Sequence, residues 1–183
     1  MSDQWHADPL VWGHGPRLLE VFLEPTCPFS VKTFNKLDDF LSEAGEDHVR
    51  VQIWLHSQPW HLFSGIIIRA IIAASTLEGG KANAYRVMAA VAEHRDEFVF
   101  NNHCSGTNRG TTPDELLQRL EGYSGVALST AFETLGLERE IIRHAKYSRQ
   151  NGIHGSPTFM LDGLIDAGMG SGDDVSEWVK RFA

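Results

Sequence analysis

Cysteine is scarce in this chain: its 183 residues hold two, Cys27 and Cys104. Two cysteines cannot make a disulfide framework at this length, and such usage is expected of a cytoplasmic protein, whose thiols stay reduced. Basic charge is in deficit, 16 Lys and Arg against 24 Asp and Glu, for a net charge of −8. That argues against nucleic acid and anionic membrane as partners, since both want a basic surface. Long hydrophobic runs are missing as well. The greasiest stretch, GIIIRAIIAAS, is broken by Arg69 and is too short to cross a bilayer. The first sixteen residues, MSDQWHADPLVWGHGP, carry no basic region followed by an apolar core, so no secretory leader is expected in them. The nine histidines are scattered. His103 beside Cys104, and His56 near His61, lack regular ligand spacing, and no metal is expected. There is no internal repeat and no low-complexity segment. What is present is an ordinary globular composition, 42% hydrophobic and 22% charged, at a length that suits one domain with a large insertion.

Residues 1–16, with two tryptophans among Gly and Pro, suggest an irregular arm or short edge strand. Residues 17–24 are almost continuously apolar, as in a strand covered on both faces. A helix is expected over 28–44. Pro28 suits its first turn, where a missing N–H costs nothing. Phe34, Leu37, Phe40 and Leu41 form its apolar stripe, and Gly45 is placed to end it. VRVQIWL, residues 49–55, alternates like a second strand. Helical patterns then follow over 62–77, 81–95, 113–121, 125–135 and 138–150. The third of these opens on Thr112-Pro113-Asp114-Glu115, a capping box. Gly122 and Gly136 punctuate the later ones. SPTFMLDGLIDAG contains two short apolar runs split by Asp162-Gly163, a hairpin signal. Asp173 or Asp174 can cap a last helix carrying Val175, Trp178, Val179 and Phe182. The order is β–α–β, a helical block, then β–β–α.

Two stretches carry chemistry. In EPTCPFS, Cys27 stands where a strand gives way to a helix. Backbone N–H groups and the helix dipole favour a thiolate at such a place, and they lower a cysteine pKa from about 8.5 to about 3.5–7.5. The other reading of Cys27 is a small buried hydrophobe. Where a second cysteine would complete C-x-x-C stands Ser30. In NGIHGSPTFMLDG, Pro157 follows a glycine-rich turn and opens a strand. A cis Ser156–Pro157 bond suits that position, and an ordinary trans proline is the alternative. His154 lies three residues before Pro157; it is either near the site, able to favour a thiolate or touch substrate, or a solvent-facing turn residue. Trp60 either lines a groove or closes a domain junction, and its place after Ser-Gln-Pro favours the junction. Cys104, in the polar stretch NNHCSGTNRG, is read as a plain loop cysteine rather than a distant resolving thiol, since nothing in the sequence brings it to Cys27.

Together, FLEPTCPFS and GIHGSPTFMLDG resemble the DsbA-like group of the thioredoxin superfamily, over about residues 17–183. The resemblance implies an α/β thioredoxin fold with a large all-helical insertion between the second strand and the cis-proline strand. The thioredoxin-like domain would comprise 17–59 plus 151–183, the insertion 60–150 and the N-terminal arm 1–16. It puts Cys27 at the nucleophilic cysteine and Pro157 at the family's cis-proline, side by side, with Pro28, Phe29, Ser156, Pro157 and His154 as substrate-contacting positions. The Ser156 backbone would be free to pair with an extended peptide or glutathione. The departure is Ser30, where the family's usual dithiol has cysteine; its hydroxyl can only donate a hydrogen bond to the Cys27 sulfur.

A lone thiolate still exchanges disulfides, but it needs an external thiol to turn over. The expected activity is therefore thiol–disulfide oxidoreduction through Cys27, with disulfide isomerisation as a related outcome. No cofactor is expected to stay bound, and glutathione is the natural co-substrate. The partners would be a disulfide-containing peptide or glutathione, not nucleic acid and not a membrane. Two other functions fit the same fold. One is a glutathione-dependent transferase or isomerase resembling the kappa class, with Ser30 activating glutathione; the retained Cys27 argues against it. The other is a redox-inert binding module using the groove beside Pro157.

Overall fold

The computed structural model describes residues 5–182. Residues 1–4 of the expected arm, and the last residue of the chain, lie outside the described residues. The rest of the arm supplies a short strand, β1 (Val11–Gly13), antiparallel to β3 (Val49–Leu55). β2 (Arg17–Leu23) pairs parallel to β3 and antiparallel to β4 (Thr158–Leu161), which turns back into β5 (Leu164–Ile165). The sheet order is β1-β3-β2-β4-β5. The Asp162-Gly163 turn holds both residues at positive φ, 48° and 88°, the geometry a tight two-residue hairpin demands.

Alternation along the strands divides the apolar side chains between two clusters. Leu19, Val21 and Leu23 of β2, with Val51, Ile53 and Leu55 of β3, join one large core. Phe22, Trp54 and Met160 face the other side with Ile153 and Tyr147. There the buried Glu20 carboxylate accepts from Trp54 Nε1 at 2.9 Å and Tyr147 Oη at 2.7 Å.

The helix expected over 28–44 is two: α1 (Pro28–Phe34) and α2 (Leu37–Ala44). The break at Asn35-Lys36 lets Lys36 Nζ donate to the backbone carbonyls of Ser171 (3.0 Å) and Asp173 (2.5 Å). The apolar stripe continues across it, with Phe34, Leu37, Phe40 and Leu41 all buried. Gly45 ends α2 at φ 86°. Between β3 and β4 lie α3 (Ser64–Ser75), α4 (Lys81–Glu93), α5 (Pro113–Ser124), α6 (Ser129–Phe132) and α7 (Glu138–Gln150). The Thr112–Glu115 capping box is formed. α5 runs through Gly122 and stops at Gly125, which adopts the left-handed conformation.

The pattern over 125–135 yields only the single turn α6. Its start is fixed by Glu121, whose Oε1 accepts from the Leu128 and Ser129 N–H groups. Its end is fixed by Arg69, which donates to the carbonyls of Phe132 (2.8 Å) and Thr134 (3.2 Å). The arginine that interrupts the greasiest run thus satisfies a helix C-terminus. The final helix is α8 (Val175–Lys180), with Asp174 at its N-cap and no side-chain cap bond. The large core runs unbroken from the sheet through α3, α4 and α5, so helical block and sheet share one interior. Among the described residues, no helix is long and apolar enough to cross a membrane.

His144 of α7 is buried and its Nδ1 accepts the Leu55 N–H at 2.9 Å. Burial, with the neighbouring Arg143 charge, pushes its pKa down to about 3. An unfolded histidine titrates near about 6.5. Below that, the unfolded chain takes up a proton that the folded chain refuses until about pH 3. Stability should therefore fall on acidification across that window, by up to about 1.4 kcal/mol per pH unit from this group. His144→Gln keeps an acceptor but cannot titrate. Urea midpoints at about pH 7 and about pH 4.5 should diverge less in this variant than in the wild type.

Candidate active site

The chain leaves β2 at Leu23 and enters α1 at Pro28. Cys27 holds the N-cap position with extended backbone, φ −68° and ψ 127°. Its N–H donates to the Glu24 carbonyl (3.1 Å), and its carbonyl accepts the Val31 N–H (2.9 Å). Because β4 pairs with β2 with Thr158 opposite Phe22, the segment before β4 arrives beside this turn. The Ser156–Pro157 bond there is cis, and the Cys27 thiol donates to the Ser156 carbonyl at 3.6 Å. The Ser156 hydroxyl donates to Gln58 Oε1 at 3.2 Å. The Ser156 N–H has no backbone partner among the described residues.

Cys27 is 5% exposed and opens into a cavity of about 480 Å³. Pro28, Phe29, Gly155 and Ser156 form one wall of it. Gln58, Trp60, His61, Arg95, Asn102 and His103 form the other. Phe29 is 61% exposed and Trp60 49%, so the rim is apolar. Trp60, expected to close a domain junction, instead lines this cavity. His154 is exposed and outside the cavity lining, on the side of His56, whose pKa it helps to lower after burial. Of the expected site residues, Cys27, Pro28, Phe29 and Ser156 line the cavity, and His154, Pro157 and Ser30 do not.

Ser30 is 1% exposed, and its Oγ accepts the Glu24 N–H at 3.2 Å. The hydroxyl thus serves the backbone of the turn and is not presented to a second thiol. Cys104 is exposed and reduced. It sits in a tight turn bridged between Asn101 and Ser105. Its two preceding residues, Asn102 and His103, reach the cavity wall at positive φ, 48° and 62°. The loop therefore comes to the rim, although Cys104 itself is not part of the lining.

Beneath Cys27 lies a buried polar group that spacing alone does not reveal. Glu24 is fully buried, and its Oε2 accepts the Thr26 N–H at 2.8 Å. Thr26 Oγ1 lies 2.9 Å from that oxygen and 2.9 Å from His61 Nδ1. Arg95 Nε donates to the Thr26 carbonyl at 2.6 Å. Burial raises the Glu24 carboxyl above its ordinary value, against the pull of hydrogen bonds from Ser64 and Thr26. Burial pushes His61 down to about 4, with His103 and Arg95 adding to the effect. Glu24 and Thr26 stand inside the motif itself, but His61 and Arg95 come from the helical block, and no local pattern joins them to Cys27. Among the described residues, no group of three His, Cys, Asp or Glu is arranged to hold a metal ion.

Removing the Ser30 hydroxyl leaves the Glu24 N–H buried without its partner. Ser30→Ala should cost about 1–3 kcal/mol of stability, measured by urea denaturation; a loss near zero would show that the hydroxyl does not support the turn.

No family model and no curated protein matches the chain. Among solved structures it is similar to a protein from Pseudomonas syringae provisionally named a protein-disulfide isomerase. The two are 61% identical over 96% of this chain and 98% of that one, with a TM-score of 0.95. The protein-disulfide isomerase from Novosphingobium aromaticivorans is 15% identical, over 97% of this chain and 99% of that one, at a TM-score of 0.66. The thiol-disulfide exchange protein alpha-DsbA2 from Wolbachia pipientis is 14% identical, over 94% and 84%, at 0.65. The last two share the fold.

Proposed function

Since this chain belongs to the DsbA-like family of thiol–disulfide oxidoreductases, we propose that it exchanges disulfides through Cys27 alone. The Cys27 thiolate attacks one sulfur of a substrate disulfide, that S–S bond breaks, and the departing sulfur leaves as a thiolate. Cys27 is then held in a mixed disulfide. Ser30 has no sulfur with which to resolve it. A small thiol, glutathione, enters as co-substrate and frees Cys27; no bound cofactor takes part. The substrate is a disulfide-containing peptide or glutathione disulfide, and the reaction belongs in a reducing, cytoplasmic compartment, where glutathione is plentiful.

One observation carries this reading. The Cys27 sulfur lies 3.6 Å from the carbonyl of Ser156, beside Pro157, and faces an open cavity, while the Ser30 hydroxyl is turned inward to Glu24. In this reading the Ser156 backbone and the apolar rim of Phe29 and Trp60 hold an extended chain across the sulfur. The kappa-type alternative needs a serine hydroxyl open to glutathione, and the burial of Ser30 speaks against it. The name of the Pseudomonas relative suggests disulfide shuffling, a chemistry that also suits one attacking thiol.

Brief exposure to glutathione disulfide followed by mass spectrometry should find the adduct on Cys27. Cys27→Ser should abolish reduction of a model disulfide and Cys104→Ser should retain it; an adduct on Cys104 alone would sink the proposal. Ser30→Cys introduces a second thiol three residues on, within about 5–6 Å between Cβ atoms on one helical face. Its disulfide reduction should depend less on added glutathione than that of the wild type, and equal dependence would show that the new thiol does not reach Cys27.

A further inference from the structure

Glu24, Thr26 and His61 join the deepest part of the site to the cavity by two hydrogen-bond-length steps, 2.9 Å each. His61 turns Nδ1 inward to Thr26, and its ring also lines the cavity that Cys27 faces. At the inner end, Glu24 Oε1 is buried and makes no hydrogen bond of good geometry; the Ser64 hydroxyl, which donates to Ser57 Oγ at 3.0 Å, is close enough to pull the carboxyl pKa down. A carboxylate held there without water is costly, and burial outweighs the hydrogen bonds that reach it, so the carboxyl holds a proton more readily than an exposed one. Histidine and glutamate are 3.4 Å apart at their nearest atoms, beyond good hydrogen-bond reach, so the threonine hydroxyl is the bridge between them.

We propose that Glu24, Thr26 and His61 form a proton relay that deprotonates the small thiol releasing Cys27 from its mixed disulfide. The inference rests on the single-thiol reading above. With Glu24 ionised, the Thr26 hydroxyl donates to Oε2, and His61 donates from Nδ1 to Thr26. The unprotonated Nε2 then serves the cavity as an acceptor. When the thiol R′SH enters, its S–H proton goes to Nε2. The Nδ1 proton passes to Thr26 Oγ1, and the Thr26 proton passes to Glu24 Oε2. The thiol becomes R′S⁻ and the carboxylate becomes a carboxylic acid. R′S⁻ attacks the outer sulfur of Cys27–S–S–R. The S–S bond breaks, its electron pair goes to Cys27 Sγ, and R–S–S–R′ leaves. The proton returns to solvent by the reverse path. The incoming thiol is itself the reductant: its sulfur ends in the disulfide R–S–S–R′, and Cys27 is left as the thiolate.

The electrostatics suit a relay better than a resident base. With its pKa held at about 4, the imidazole does not keep a proton near neutrality and hands it inward. Glu24, raised by burial, holds it more readily than an exposed carboxylate. The charged and titratable groups facing the relay are Cys27, Arg95 and His103, with neutral Gln58, Trp60 and Ser64 beside them. Arg95 and His103 both disfavour a cationic His61. The relay needs Glu24 ionised and His61 neutral, so it works above the raised Glu24 value and fails as pH falls through it.

The test is release of glutathione from preloaded Cys27 by a small thiol, followed against pH. Free thiols titrate near about 8.5, so a reaction limited by thiolate falls about tenfold for each pH unit below that. Wild-type release should fall less steeply and should slow in deuterium oxide beyond the thiol's own isotope effect. Glu24→Gln should reduce release by about 100-fold near pH 6 and restore the steep slope. Thr26→Val keeps the carboxylate charge but cuts the path, and it should do the same, while Thr26→Ser restores release. Should Glu24→Gln fail to fold, Thr26→Val and the wild-type isotope effect decide. Profiles for both variants that superimpose on the wild type would overturn the relay and leave exchange through Cys27 standing. Absence of any glutathione adduct on wild-type Cys27 would overturn that reading together with the relay.

Discussion

Glu24 ties the end of β2 to the start of α1 through three of its four polar groups. Its N–H goes to Ser30, its carbonyl receives the Cys27 N–H, and its Oε2 receives the Thr26 N–H. These bonds leave the turn little freedom, and the turn sets the direction of α1 and the position of the Cys27 sulfur. The arrangement is costly. A carboxylate with no exposure loses its hydration, and His61, being neutral, is not a counter-ion. Hydrogen bonds from Ser64 and Thr26 offset part of that loss. The remainder is expressed as a carboxyl that holds its proton more tightly.

The second constraint is the pairing of β4 with β2. Thr158 lies opposite Phe22, so the peptide just before β4 must pass beside the residues just after β2. Cys27 and Ser156 meet for that reason, although 129 residues separate them in the chain. Between them the chain runs through α1, α2 and β3 and then the helical block, which returns it to the correct edge of β2. The block does more than close a loop. α3 begins just after His61, and the segment after α4 supplies Arg95, so the far wall of the cavity is built from its first turn and its middle.

What was legible in the sequence was local. Pro28 at a helix start, the Thr112–Glu115 box, the Asp162-Gly163 hairpin and the alternation of 49–55 each state their structure within a few residues. The pairing of EPTCPFS with GSPTF was legible because two specific motifs imply one turn. The errors fall where distant side chains decide. Lys36 breaks a helix by reaching the carbonyls of Ser171 and Asp173. Arg69 and Glu121 cut a helical pattern to one turn. Gly122 is tolerated inside α5 because a glycine only weakens a helix, by about 1 kcal/mol, whereas Gly125 takes the left-handed conformation that ends it. His61 was visible only as one histidine among nine, since its partner Thr26 lies 35 residues earlier. Trp60 was misplaced for the same reason.

Ser30 brings these constraints together. In a two-thiol site the second sulfur resolves the mixed disulfide from within, and the cavity need admit only substrate. Here the hydroxyl at that position holds the Glu24 N–H and contributes to the geometry of the turn. In the proposed single-thiol mechanism resolution comes from a second molecule, so the cavity has to admit a thiol while the first adduct still occupies Cys27. A volume of about 480 Å³ falls within the usual size of small-ligand pockets, about 300–1,000 Å³. Such a site also has to manage the proton that each incoming thiol brings, a task that a second cysteine fixed in the fold would not impose in the same form. In the proposed relay the Glu24 carboxyl and the His61 ring take that proton, and they are joined through the residue that precedes Cys27.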